Sequence, residues 1–175
     1  MKLFKKLLII IFSIAITATA SIYAIWHNEI ATVASIKTII NQDLSHDDGY
    51  TYEMYVSGDY YFEDFLKQGG ATNDAELIQF VTDHITKGLI PMTIKSKEIA
   101  CSSFTAWTED IKFVFGRNYD FDQTNTAIVH TSPKGRHASI STIDLQFLGI
   151  KEESGISSIK EKALLLAAPY IPLDG

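Results

Sequence analysis

The chain carries a single thiol, Cys101, and that residue sets the first chemical question. If the peptide bond in front of it were cut, a thiol and a new α-amine would sit on one residue. A free α-amine has a pKa near ~8 and acts as a general base at neutral pH. A thiol near ~8.5 is readily activated by such a neighbour, and the thiolate is the nucleophile. Arg117 follows sixteen residues later and Asp120 nineteen later. An Arg cation beside the sulfur favours thiolate, and a carboxylate accepts a hydrogen bond from the α-ammonium and orients it. Two blander readings stand beside this one: a buried, inert Cys, and a surface Arg–Asp pair.

Such a site needs a hairpin. Ser103-Phe104-Thr105-Ala106-Trp107 is β-prone and places Cys101 at the head of a strand. Glu109-Asp110 supplies a turn, and Ile111, Phe113 and Phe115 then alternate with Lys112 and Val114. Antiparallel pairing returns Gly116-Arg117-Asn118-Tyr119-Asp120 to the side of Cys101. Further strands are expected at 126–131 and 137–143, joined by Ser132-Pro133-Lys134-Gly135. The run 157–170 reads as a helix with a broad apolar face. Residues 101–175 thus form an α+β unit with an antiparallel sheet.

Residues 27–100 read as a smaller, mostly helical unit. Ile30, Val33, Ile36 and Ile40 have helical spacing over 29–40. A polar break over 41–49 contains His46, Asp47 and Asp48 but lacks the fixed Gly and Glu of a calcium loop. The aromatic alternation over 50–56 predicts a strand, and 60–67 a short helix. Asn73 or Asp74 caps the next helix, which Gly88 closes. His84 on that helix has no second His four residues away and is read as a packing residue.

The first 26 residues are of another kind. Lys2, Lys5 and Lys6 precede an uncharged run from Leu7 to Ile25, long enough to span a bilayer. Ala18-Thr19-Ala20 offers a small-x-small cleavage pattern, so a cleaved signal peptide and a retained anchor both fit. Either places the body outside the cytoplasm, secreted or membrane-anchored. A lone Cys there forms no internal disulfide. The net charge of −6, without a basic stripe, argues against a nucleic-acid partner. HExxH, paired zinc Cys, a phosphate-cradling Gly loop and a nucleophile elbow are all missing from the sequence.

Cys101-Ser102-Ser103-Phe104, with Phe115-Gly116-Arg117-Asn118-Tyr119-Asp120-Phe121, resembles the start of the choloylglycine hydrolase family. Its members include bile salt hydrolases, penicillin V acylases and N-acylethanolamine and ceramide amidases. Cys101, Arg117 and Asp120 match the family's nucleophilic Cys, Arg and Asp with their intervals. The stretches 138–149 and 166–175 resemble the bacterial linear-amide branch as well. The resemblance implies an Ntn-hydrolase αββα sandwich, self-cleavage between Ala100 and Cys101, and 27–100 as a prosegment. It implies hydrolysis of a small-molecule N-acyl amide without metal or organic cofactor, and leaves homo-oligomerisation open. The family's oxyanion-hole Asn residues and a further Arg fall beyond Gly175. With the terminal Asp174-Gly175 turn signal, this makes 101–175 the expected front part of a catalytic domain.

Overall fold

The computed structural model describes residues 2–40, 49–89, 101–119, 124–150 and 155–170. The polar break at 41–48, the Ala100 side of the expected cleavage, Asp120 and 171–175 lie outside the described residues.

Helix α1 runs Lys2–Ser35 with a kink at Trp26 (φ −119°, ψ 22°). Its first part is long and apolar enough to cross a membrane and none of that stretch is buried. The part after the kink packs on the body. Trp26 Nε1 donates to the Ile85 carbonyl at 2.9 Å, and Glu29 and Thr32 are buried. The helix ends earlier than the apolar spacing predicted. Tyr55 N–H donates to the Ser35 hydroxyl at 2.9 Å, and that hydroxyl donates to the Thr32 carbonyl at 2.6 Å. Lys37–Ile40 is then strand β1, not helix. Thr38, Ile39 and Ile40 are β-branched, and pairing with β2 outweighs a spacing that fitted a helix.

Strand β2 (Thr51–Tyr55), the short helix α2 (Phe62–Lys67) and α3 (Asp74–Thr86) follow. Asn73 caps α3, its side chain accepting from Glu76 N–H at 3.0 Å. Lys87 closes the helix at φ 56° and Gly88 follows at φ 69°. Beyond Cys101 come β3 (Cys101–Trp107), β4 (Phe113–Tyr119), β5 (Thr126–Thr131) and β6 (Ser139–Asp144). A 3-10 turn, Leu145–Leu148, follows directly. Helix α4 (Ile159–Leu164) passes into a second 3-10 turn, Leu165–Tyr170.

The fold is mixed helix and sheet, as the α+β reading expected, but its strands are distributed differently. One sheet has the order β1-β2-β5-β6; β3 and β4 form a separate ribbon. β2 lies parallel to β5, from Thr51↔Thr126 to Tyr55↔His130, so strands from before and after Cys101 share one sheet. That sheet is therefore mixed rather than antiparallel. On one face Tyr52, Met54, Ala127, Val129 and Ile143 meet Phe80, Val81 and Ile85 of α3 and Leu145, Leu148, Leu165, Ala167 and Ala168 of the 3-10 turns. The other face is partly open: Tyr55 stacks on His130 (centroids 4.4 Å), Glu53 contacts His130 Nε2 at 3.1 Å, and Ile140 is exposed.

Candidate functional site

The expected β3–β4 hairpin forms, but its turn is longer than the alternation predicted: Ile111, read as the first strand residue, lies in the turn at φ 62°, and β4 starts at Phe113. Its turn is held by Thr108 N–H to the Lys112 carbonyl at 2.8 Å and Ile111 N–H to the Thr108 carbonyl at 2.9 Å. Asp110 accepts from the Thr108 hydroxyl and pairs with Lys112, which holds its carboxyl below the usual range. The seven-pair register runs from Trp107↔Phe113 to Cys101↔Tyr119. Arg117 stands opposite Ser103, so Cys101 and Arg117 occupy diagonal ladder positions in the same pleat phase. Asp120 lies outside the described residues. Gly116 sits opposite Phe104, and a Cβ there would come within 2.4 Å of the Phe104 ring. A glycine at this point lets that ring cross the ladder beside Arg117's position. The ribbon's apolar side chains stay in the open: Phe104, Trp107, Phe113 and Phe115 are all exposed.

A second constellation appears that the sequence did not announce. Glu29, only 8% exposed, pairs with Lys87 Nζ at 3.0 Å and accepts from the Tyr61 hydroxyl, which in turn accepts from Lys87. The Lys87 ammonium lies 4.0 Å from the centroid of the Tyr61 ring. A buried carboxylate is costly unless paired and hydrogen-bonded, and this one is both. Beside it a cavity of ≈ 40 Å³ is lined in part by Glu29, Asp59, Tyr60, Tyr61 and Tyr170. Two of its wall residues, Tyr60 (φ 41°) and Tyr61 (φ 62°), are held in left-handed backbone that side chains other than Gly seldom adopt. Asp59 caps this turn: its carboxylate accepts Tyr61 N–H at 3.2 Å and its carbonyl accepts Phe62 N–H at 2.9 Å. The Tyr170 ring meets Tyr60 edge-on at 5.7 Å. Its hydroxyl is buried without a partner among the described residues, and burial with the nearby Tyr60, Asp59 and Asp64 pushes its pKa far up, so it stays protonated.

Positions 29, 61, 87 and 170 have no common spacing, and each reads locally as a helix or turn residue. The doubled Tyr60-Tyr61 after Gly58-Asp59 is the one local oddity. His84 is a packing residue: its Nδ1 lies 2.8 Å from the Phe80 carbonyl and its ring 3.9 Å from the Phe80 ring. Among the described residues no group of three or more His, Cys, Asp or Glu is arranged to hold a metal ion. No family model, curated protein or solved structure matches the chain.

Proposed function

We propose that the chain is a linear amide hydrolase of the Ntn type, acting outside the cytoplasm on an N-acyl substrate, with Cys101 as nucleophile. The observation that carries this reading is the β3–β4 register, which sets Arg117 one diagonal step from Cys101 on the neighbouring strand. The motif spacing adds Asp120 as the orienting carboxylate, and the apolar α1 is suited to export or anchoring. The partly open face of the four-stranded sheet is compatible with a sandwich, in which a second sheet covers it.

In this reading the Ala100–Cys101 bond is hydrolysed first, leaving Ala100 with a carboxylate and Cys101 with an α-amine. The amine takes the thiol proton, and the thiolate attacks the substrate carbonyl to give a tetrahedral oxyanion. Collapse breaks the C–N bond, the amine leaves with the proton from the α-ammonium, and a thioester remains. Water, deprotonated by the same amine, hydrolyses it to the free acid. The Arg117 cation favours the thiolate, and the Asp120 carboxylate orients the α-ammonium.

The test is incubation of the full chain with a panel of N-acyl amides beside Cys101→Ala. Expected are Cys-dependent turnover and an amino terminus at Cys101 by Edman sequencing. An active form that keeps Ala100 attached defeats the amine-as-base mechanism. A second reading, an inactive binding module on the same scaffold, is favoured by the exposed apolar faces of the β3–β4 ribbon. Turnover absent from the whole panel selects it.

A further inference from the structure

We propose that the cavity beside Glu29 is a binding site for the ammonium end of a primary alkylamine, separate from the chemistry at Cys101. The charge balance points to a cation. Glu29 is matched by Lys87, but among the described residues Asp59 forms no ion pair, so the cavity wall keeps a net negative charge. Three tyrosines line it, and tyrosine faces attract ammonium groups. The protein already shows this pairing, with the Lys87 ammonium held between the Glu29 carboxylate and the Tyr61 ring.

The polar groups also fit in kind. An alkylammonium carries three N–H donors and no acceptor. Asp59 offers a carboxylate whose bond from the Tyr61 amide leaves acceptor capacity, and Ser57 offers a hydroxyl oxygen. The Tyr170 hydroxyl is buried and has no hydrogen-bond partner among the described residues, so its lone pairs can accept. A buried hydroxyl without a partner costs stability, and an incoming donor removes that cost. The ≈ 40 Å³ of space suits a compact head and excludes a bulky one. Two consecutive non-Gly residues in left-handed backbone, Tyr60 and Tyr61, supply two of the aromatic walls. Strain of this kind is concentrated at ligand clamps. Asn28, Glu29 and Thr32 come from α1 just past the Trp26 kink, so the amine can arrive free in solution or as an aminated lipid headgroup.

The experiment uses the full chain in maltoside micelles with methylammonium as probe, read by saturation transfer to its methyl protons. Expected is a saturable signal, absent with methanol as the neutral probe of similar size. Asp59→Asn keeps the acceptor for the Tyr61 amide and removes the charge; it should weaken binding about tenfold with an unchanged melting temperature. Tyr170→Phe keeps the ring and should weaken binding several-fold, which covers the case in which Asp59→Asn fails to fold. Repeating the titration in nanodiscs separates the sources. Loss of the methylammonium signal with phosphatidylethanolamine but not phosphatidylcholine identifies the headgroup, and equal signals identify a free amine. No saturable signal, equal transfer to methanol, or unchanged affinity in both variants overturns the proposal. Cys101→Ala should leave methylammonium binding intact, so failure of the hydrolase reading and failure of this one are distinguishable.

Discussion

Gly58 and Gly69 both sit at positive φ, 75° and 92°, yet their surroundings differ. A Cβ on Gly58 would come within 2.6 Å of Asn28 Nδ2, whereas one on Gly69 meets nothing within 4 Å. Gly69→Ala therefore carries only the left-handed penalty, about 1 kcal/mol. Gly58→Ala adds the displacement of Asn28, which accepts from the Ser57 hydroxyl at 3.1 Å, and should cost about 2 kcal/mol or more. Chemical denaturation of the two variants checks the order, and an equal loss shows that Asn28 moves aside freely. Asn125 is a further point of dependence. Fully buried, its side chain accepts Tyr50 N–H at 2.9 Å and so ties the entry of β2 to the entry of β5. Asn125→Ala strands that amide and should cost about 1–3 kcal/mol, measured the same way.

Among the elements, α4 shows how a short helix is held by its first turn. Ser158 accepts Glu161 N–H at 3.1 Å, while the Glu161 carboxylate accepts the amides of Ser158 at 2.8 Å and Ser157 at 2.9 Å. Those bonds, the Ser158 amide first, hold the Glu161 carboxyl below its ordinary value of 4.5. A depressed carboxyl stabilises the fold fully above its unfolded pKa, and that contribution fades as pH falls through the folded one. The melting temperature of the full chain should therefore drop below about pH 5, and Glu161→Gln should flatten part of that drop. An identical acid profile in the variant places the sensitivity elsewhere. Ser158→Ala should cost about 1 kcal/mol at neutral pH.

For the whole molecule, the shared sheet bears on the proposed cleavage before Cys101. β2 is bonded to β1 on one side and β5 on the other, and Tyr52 and Met54 lie in the core with Val129 and Ile143. A cut between Ala100 and Cys101 should leave the two pieces associated, because separation would expose that core to water. Co-elution of both fragments from a sizing column without denaturant is expected; elution of the 101–175 piece alone contradicts it. Leu165→Ala, at a fully buried position beneath the same sheet, should cost about 2–5 kcal/mol in equilibrium unfolding.

The sequence by itself determined the local grammar: the apolar amino-terminal run, a helix cap at Asn73 or Asp74 that the structure assigns to Asn73, the β3–β4 hairpin, and strands at 126–131 and 137–143, the second of which runs Ser139–Asp144 in the fold. Each rests on a propensity or spacing read within a few residues. Only the tertiary structure decided that β2 lies parallel to β5, that Lys37–Ile40 pairs as an edge strand, that Glu29, Tyr61 and Tyr170 gather around one cavity, and that Lys87 pairs with Glu29. Those outcomes depend on which apolar faces cover one another and which distant charges must be neutralised once water is excluded. Neither leaves a periodic trace along the chain.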